Sequence, residues 1–236
     1  MNSTRPSTFT QYRTLLAKDI RREFRTREML TAMGIYAVLM LVVFGAALAT
    51  TVAAFDILQM SGGLIWALIV FTSLLGLTRS FSYEKEEGAL EALLLAPLDR
   101  SVIFLSKASS NLLFLAVVEL IALPLFYFFF LTGSGLAPTF WMTLGPLIVG
   151  TVGIAGIGTL LATITMGTRG KDVLLAVLFI PLIFPLLYAC VCATTVALLG
   201  SEMIMDTYVP SMALAIGYDV VMILVSWLLY DFVVSV

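Results

Sequence analysis

This sequence has no histidine, only two cysteines and little charge. Charged residues make up 12% of its 236 residues and hydrophobic residues 61%, whereas an ordinary soluble domain has about 25% charged residues. Because so few charges could not cover a water-soluble surface, the apolar surplus indicates a lipid environment. The lack of histidine also excludes histidine-based acid–base catalysis and the zinc sites of metalloproteases.

Motifs for metal binding and nucleotide hydrolysis are also missing. Cys190 and Cys192 are two positions apart in an apolar run, so on a helix they point to different sides and are interpreted as small buried hydrophobic residues. The stretch from Gly167 to Asp172 ends in Gly-Lys-Asp, but it lacks the upstream glycine and the Ser/Thr of a phosphate-binding loop. Energy for any uphill transport must therefore come from another subunit or an ion gradient.

Six apolar runs have about the 20 residues that a membrane-spanning helix needs. They are predicted at residues 29–54, 57–77, 108–131, 140–166, 173–199 and 211–234. The chain is thus predicted to be one all-α integral membrane domain, residues 1–236, with six transmembrane helices. An amphipathic interfacial helix is predicted at residues 10–28, and a cytoplasmic coupling helix at residues 84–97, between spans two and three.

All 13 lysines and arginines fall on one predicted side of the membrane. They precede the first span or lie between spans two and three or spans four and five. The alternate loops carry only the acids Asp56, Glu202 and Asp206. Under the positive-inside rule this distribution predicts that both termini are cytoplasmic.

The predicted interfacial helix combines an apolar stripe with a basic surface. Tyr12, Leu16, Ile20 and Phe24 recur at every fourth position. The remaining surface carries Arg13, Lys18, Arg21, Arg22 and Arg25. This pattern predicts a helix lying in the lipid headgroup layer; a charge cluster that only sets topology is the alternative.

The loop between spans two and three carries the pattern of a short amphipathic helix. One apolar stripe is formed by Leu90, Leu93, Leu94 and Pro97. An adjacent face carries Glu84, Glu87 and Glu91. Such a helix suits docking to a soluble partner, and a solvated helix without a partner remains the alternative. The predicted docking residues are Glu84, Glu87, Gly88, Leu90, Glu91, Leu94 and Pro97.

Two carboxyl groups fall inside predicted spans, Glu119 in the third and Asp219 in the sixth. Each costs about 2.5–3.5 kcal/mol on insertion scales, so such groups usually face the bundle interior or a cavity. Both a direct substrate role and a structural polar contact are open for them.

The fourth span is rich in small residues. Gly150, Gly153, Gly156 and Gly158 predict a face on which neighbouring helix backbones approach closely.

Several stretches resemble known membrane proteins. Glu87-Gly-Ala-Leu-Glu91, followed by three leucines and a proline, resembles the coupling-helix signature of type-2 ABC exporter permeases. Further stretches resemble the haem exporter protein B family, the permease subunit of the cytochrome c maturation transporter. These are residues 16–28, 62–68 with 75–81, and 169–175 with 180–185.

This resemblance implies a permease in the bacterial inner membrane with no catalytic residues, metal site or resident cofactor of its own. It implies a separate ATPase subunit, which binds ATP and Mg²⁺ and receives the helix from Glu84 to Pro97. It further implies a multi-pass haem-handling membrane protein, a periplasmic haem chaperone, haem as a possible substrate, and no nucleic acid. The second membrane half of such a transporter would be another copy of this chain or a different subunit.

Three alternatives stay open at this point. The chain could be an exporter permease for another hydrophobic substrate, or a membrane assembly scaffold that moves nothing. An intramembrane enzyme using Glu119 or Asp219 is disfavoured, because no paired catalytic group occurs at a plausible spacing.

Overall fold

The computed structural model describes residues 7–49, 56–86, 99–131, 140–166, 168, 170–200 and 204–233. Over these ranges it contains seven α-helices, one short 3₁₀ helix and no strand. The α-helices are α1 (Thr8–Thr26), α2 (Glu28–Ala49), α3 (Ile57–Glu86), α4 (Arg100–Phe130), α5 (Leu144–Thr165), α6 (Lys171–Leu199) and α7 (Ile204–Val233). The 3₁₀ helix, Phe140–Thr143, leads directly into α5. The predicted all-α class is confirmed.

Six of these helices, α2 to α7, are long and apolar enough to cross a bilayer. The shortest α-helices among them, α2 and α5, have 22 residues each, or about 33 Å, which spans a hydrocarbon core of about 30 Å. Many large apolar side chains of these helices point outward, as Leu120 does with 75% of its surface exposed. The predicted six transmembrane helices are confirmed.

Helix α5 is the centre of the bundle. In its membrane-crossing stretch 78% of the residues are buried, compared with 17% in α2 and in α7. It packs against α3, α4, α6 and α7. The helix richest in glycine is therefore the one that these four helices surround.

Two helices begin earlier than the apolar runs indicated. Helix α4 starts at Arg100, because its first two turns pack against α1 despite their charges. Helix α7 starts at Ile204 and contains Pro210 in its second turn, where proline cannot donate a backbone hydrogen bond to the Asp206 carbonyl. The Tyr208 hydroxyl donates to the Met142 carbonyl at 2.8 Å and fixes the start of α7 against the 3₁₀ helix.

The N-terminal helix and the end of α7 lie at the same end of the bundle, called here the α1 end. Leu15 of α1 and Val233 of α7 both pack on a small cluster that includes Phe104 and Tyr230. This arrangement agrees with an even number of spans. That the α1 end faces the cytoplasm stays a prediction from the lysine and arginine distribution.

Candidate functional site

The predicted coupling helix falls mostly outside the described residues. Glu84 lies in the last turn of α3, whereas Glu87, Gly88, Leu90, Glu91, Leu94 and Pro97 are outside the described ranges. The flanking residues that the structure does describe are the end of α3 and the start of α4. The ATPase-docking role of this segment stays a prediction.

Helix α1 contacts the chain just after this segment. Asp99 is the N-cap of α4, and its backbone N–H donates to the side-chain oxygen of Gln11 at 3.4 Å. The Asp99 carbonyl accepts from the N–H groups of Val102 and Ile103. The first turn of α4 and a buried glutamine of α1 are therefore joined two residues beyond Pro97.

A buried ion pair forms the main polar contact between α1 and α4. Lys107 Nζ lies 2.8 Å from Asp19 Oδ2, and the two side chains are only 6% and 7% exposed. About two turns earlier on α1, the Tyr12 hydroxyl donates to Ser109 Oγ at 3.0 Å. Charged and polar groups, not only apolar ones, thus hold α1 in place.

The sequence reasoning missed this contact. It counted Lys107 among the loop cations that set topology, and it predicted that α1 lies in the lipid headgroup layer without naming a contact to another helix. In the structure the buried residues of α1 are Gln11, Asp19 and Glu23, whereas Phe24 of the stripe is 61% exposed. The four-residue spacing of Gln11, Leu15, Asp19 and Glu23 was the available signal for an inward-facing polar stripe.

Helices α1 and α2 meet in a tight elbow. Arg27, between them, has a left-handed backbone with φ of 55°, and its N–H donates to the Glu23 carbonyl at 2.7 Å. The Glu23 carboxylate then accepts from the N–H of Leu30 at 2.8 Å. A carboxylate at this position satisfies a free N–H of the first turn of α2 and complements the helix dipole. The elbow therefore fixes the direction in which α1 leaves the first span.

Within the bundle, Glu119 of α4 contacts Thr151 of α5. The Thr151 hydroxyl oxygen lies 2.8 Å and 3.0 Å from the two Glu119 carboxyl oxygens and 2.7 Å from the Leu147 carbonyl oxygen. A hydroxyl has one proton, so it cannot donate to all three acceptors at once. Glu119 therefore keeps hydrogen-bonding capacity for a further group.

Glu119 lines a cavity of about 380 Å³ between α3, α4, α5 and α6, which is in the usual size range of small-molecule pockets. Most other lining residues are apolar, including Pro124 and Leu147, and Thr194 adds a hydroxyl. From Glu119 the lining extends along α4 to Leu131, a distance of about 18 Å at 1.5 Å per residue. The cavity is thus an elongated apolar space, in the half of the bundle away from α1, with a carboxyl group at its inner end.

Asp219 lies elsewhere in the bundle. It is 5% exposed and packs on Gly153, where an added Cβ would lie 2.0 Å from its Oδ1 atom. Gly153 and Thr151 are two residues apart on α5, so Asp219 and Glu119 are on different sides of that helix. The structure does not bring the two carboxyl groups together, which gives no support to a two-carboxylate catalytic site.

The other predicted packing glycines also meet large side chains. An added Cβ would lie 2.1 Å from the ring of Trp66 at Gly150, 2.3 Å from Leu77 at Gly158 and 3.1 Å from Ile223 at Gly156. Glycines of α5 thus let α3 and α7 approach it from two directions.

The described part of the chain contains no group of three or more His, Cys, Asp or Glu side chains that could hold a metal ion. Cys190 is buried next to Gly150.

Comparison with known proteins gives one family and several relatives. The family model described as "CcmB protein" matches residues 10–232. "Heme exporter protein B" of Pseudomonas aeruginosa is 27% identical over 173 residues, which cover 73% of this chain and 75% of that protein. Proteins of the same name from Rhodobacter capsulatus and Paracoccus denitrificans are each 28% identical over 130 residues, which cover 55% of this chain and 58% of each relative.

Proposed function

Because this chain belongs to the CcmB protein family, we propose that it is the membrane-spanning permease subunit of an ABC transporter that handles or exports haem in cytochrome c maturation. The observation that carries this proposal is the family match, which runs from α1 to α7 and so includes all six spanning helices. The three relatives named heme exporter protein B support haem as the substrate class. The chain acts in transport and is not itself an enzyme.

The energy would come from a separate ATPase subunit that docks on residues 84–97. These residues connect α3 to α4, so a movement of the docked ATPase would be transmitted directly to two spanning helices. Helix α1 would move with the start of α4, because Gln11 holds Asp99 and Asp19 holds Lys107 there. Closure of the ATPase would thus be converted into tilting of α3 and α4.

The Glu119 cavity is the proposed contact for an apolar substrate or for the apolar part of one. Its walls offer apolar area, and Glu119 offers an acceptor that Thr151 leaves partly unsatisfied. Asp219, packed on Gly153, is proposed instead as a structural contact between α5 and α7. Glu119→Gln is expected to change substrate-stimulated ATP hydrolysis while leaving ATPase copurification unchanged.

The same proposal implies the membrane in which the chain lies and the other proteins with which it would work. The chain would lie in the bacterial inner membrane with both termini in the cytoplasm. A multi-pass haem-handling protein and a periplasmic haem chaperone would receive haem at the end of the bundle opposite α1. A second membrane half, either a second copy of this chain or a different subunit, would complete the transporter.

The first experiment is purification of the chain in mild detergent with its genomic neighbours, followed by ATP hydrolysis and haem measurements. Charge reversal at the docking segment, Glu87→Lys with Glu91→Lys, is expected to release the ATPase. The matched control is Glu28→Lys with Asp172→Lys, which reverses two exposed acids at the same end of the bundle but outside the segment.

Unchanged ATPase copurification in the Glu87/Glu91 variant would sink the docking assignment. If no ATPase accompanies even the unaltered chain, the scaffold interpretation leads. If other lipophilic compounds stimulate the ATPase and haem does not, the permease assignment would stand and the assigned substrate would change.

A further inference from the structure

Helix α1 carries an outward surface that is basic along its whole length. The five cations Arg13, Lys18, Arg21, Arg22 and Arg25, named here the basic face, line a shallow concavity of about 730 Å³. Thr10, Thr14, Ala17 and Phe9 also line it. The transport mechanism proposed above makes no use of this surface.

The two acidic residues of α1 are turned away from the basic face. Asp19 is buried against Lys107, and Glu23 is buried against the N–H of Leu30. Lys18 reaches Asp19 at 3.5 Å, yet its side chain stays 43% exposed. Because both carboxylates are neutralised on the inner side, the positive potential of the outer side is not cancelled by the helix itself.

Exposed aromatic rings lie beside these cations. Phe9 is 71% exposed and Phe24 is 61% exposed. A soluble partner that recognises the cations would not need exposed aromatic rings beside them. A helix at the membrane surface places aromatic side chains at the acyl boundary and cations among the headgroups. The combination favours a membrane over a soluble protein as the partner.

The depth of α1 is fixed by its connections. Only Arg27 separates it from α2, the first spanning helix, and Asp19 and Tyr12 tie it to the first turns of α4. The basic face is therefore held in one orientation, next to the start of the first spanning helix. A site fixed in this way loses little conformational freedom on binding.

We propose that the basic face is a preformed binding site for the phosphate groups of anionic phospholipids in the leaflet at the α1 end. The chemistry is that of several arginines around lipid phosphates, with the two phenylalanines against the acyl boundary. Bound lipid would hold α1, and through it the start of α4, at a set height. The proposal does not depend on haem or on the ATPase.

The test uses the full chain in nanodiscs of phosphatidylcholine alone or with phosphatidylglycerol. Native mass spectrometry measures retained phosphatidylglycerol for the unaltered chain, for Arg13→Gln with Arg21→Gln, and for the control Arg79→Gln with Lys171→Gln. Both variants lose two cations from the same end of the bundle, but only the first alters α1. We expect the first to lose phosphatidylglycerol preference by about fivefold per cation removed, and the control to keep it.

Equal loss in both variants would overturn the proposal, since net charge rather than the basic face would then determine lipid retention. An unchanged preference in the Arg13/Arg21 variant would overturn it as well. Loss of ATPase copurification with intact lipid binding would instead make the basic face a protein-docking surface. Thermal stabilisation by inorganic phosphate equal to that by phosphatidylglycerol would show a free-anion site, not a lipid site.

Discussion

Two parts of the bundle are held together by different means. Where α1 meets α4, the contact is a buried ion pair with hydrogen bonds from Tyr12 and to Gln11. Where α5 meets its neighbours, the helices are held by close packing, in which glycines of α5 leave room for the side chains of Trp66, Leu77 and Asp219. The first interface lies at one end of the bundle and the second runs through its middle.

The difference follows from what surrounds each interface. In lipid, helices gain little from burying apolar surface against each other, so close backbone approach through small residues carries the association. At the end of the bundle, α1 is polar and short, and it needs specific partners to stay in one place. An ion pair gives orientation there, although its net contribution to stability is small when both charges must be desolvated.

The largest effect is expected from breaking the ion pair on one side only. Lys107→Met removes the buried cation 2.8 Å from Asp19 and leaves only the part-exposed Lys18, 3.5 Å from the other carboxylate oxygen. The loss should destabilise the protein by up to about 3–5 kcal/mol. Thermal unfolding in detergent, followed by the fluorescence of the three tryptophans, measures the loss.

The control for this prediction is the double variant Asp19→Leu with Lys107→Met. Because it removes both charges and restores apolar packing, it should recover most of the stability. If the double variant is as unstable as Lys107→Met, the pair is not the source of the effect.

The next effect tests the glycine interface. Gly150→Ala places a Cβ 2.1 Å from the ring of Trp66, and this ring is 1% exposed and bonded to Thr194 at 3.0 Å. Because the ring cannot move without breaking that bond, overpacking should cost about 1–3 kcal/mol. The same unfolding assay measures it.

Gly217→Ala is the matched control, since nothing lies within 4 Å of an added Cβ at that position in α7. It should be neutral or slightly stabilising, because alanine favours a helix over glycine. Equal losses at Gly150 and Gly217 would mean that contact with the Trp66 ring is not the source of the effect.

The sequence predicted the glycine interface more fully than the ionic one, for a physical reason. Apolar length identifies a span by itself, and small residues in a span indicate packing whatever the partner is. By contrast, the pairing of Asp19 with Lys107 depends on how α1 folds back across the start of α4. That direction is set by the left-handed Arg27 and by Glu23, which no periodicity reveals.

The sequence also could not predict which residues surround Glu119. Insertion cost alone predicted that Glu119 faces the bundle interior or a cavity. It could not predict that Thr151 lies opposite, or that Asp219 faces a different side of α5. The helix starts at Arg100 and Ile204 were likewise missed, because hydropathy locates apolar residues and not helix ends.

A smaller effect is expected at Thr151. Thr151→Val keeps the shape but removes the hydroxyl that contacts Glu119. Hydrogen bonds between membrane helices contribute about 0.6 kcal/mol on average, so the stability loss should be well below that of Gly150→Ala. A double-mutant cycle with Glu119→Gln measures the coupling, and additive losses would mean that the two side chains do not interact.

The smallest effect is expected at Arg79, which pairs with Glu28 at 3.2 Å, with side chains 51% and 60% exposed. Arg79→Gln should cost less than about 1 kcal/mol, and added salt should reduce this cost further. Lys107→Met should cost the same at low and high salt, because its pair with Asp19 is shielded from ions. The positive-inside rule counts Arg79 and Lys107 as equal cations on one side of the membrane. A salt titration of the two variants therefore separates charge that orients the chain from charge that holds it together, and equal salt responses would remove that distinction.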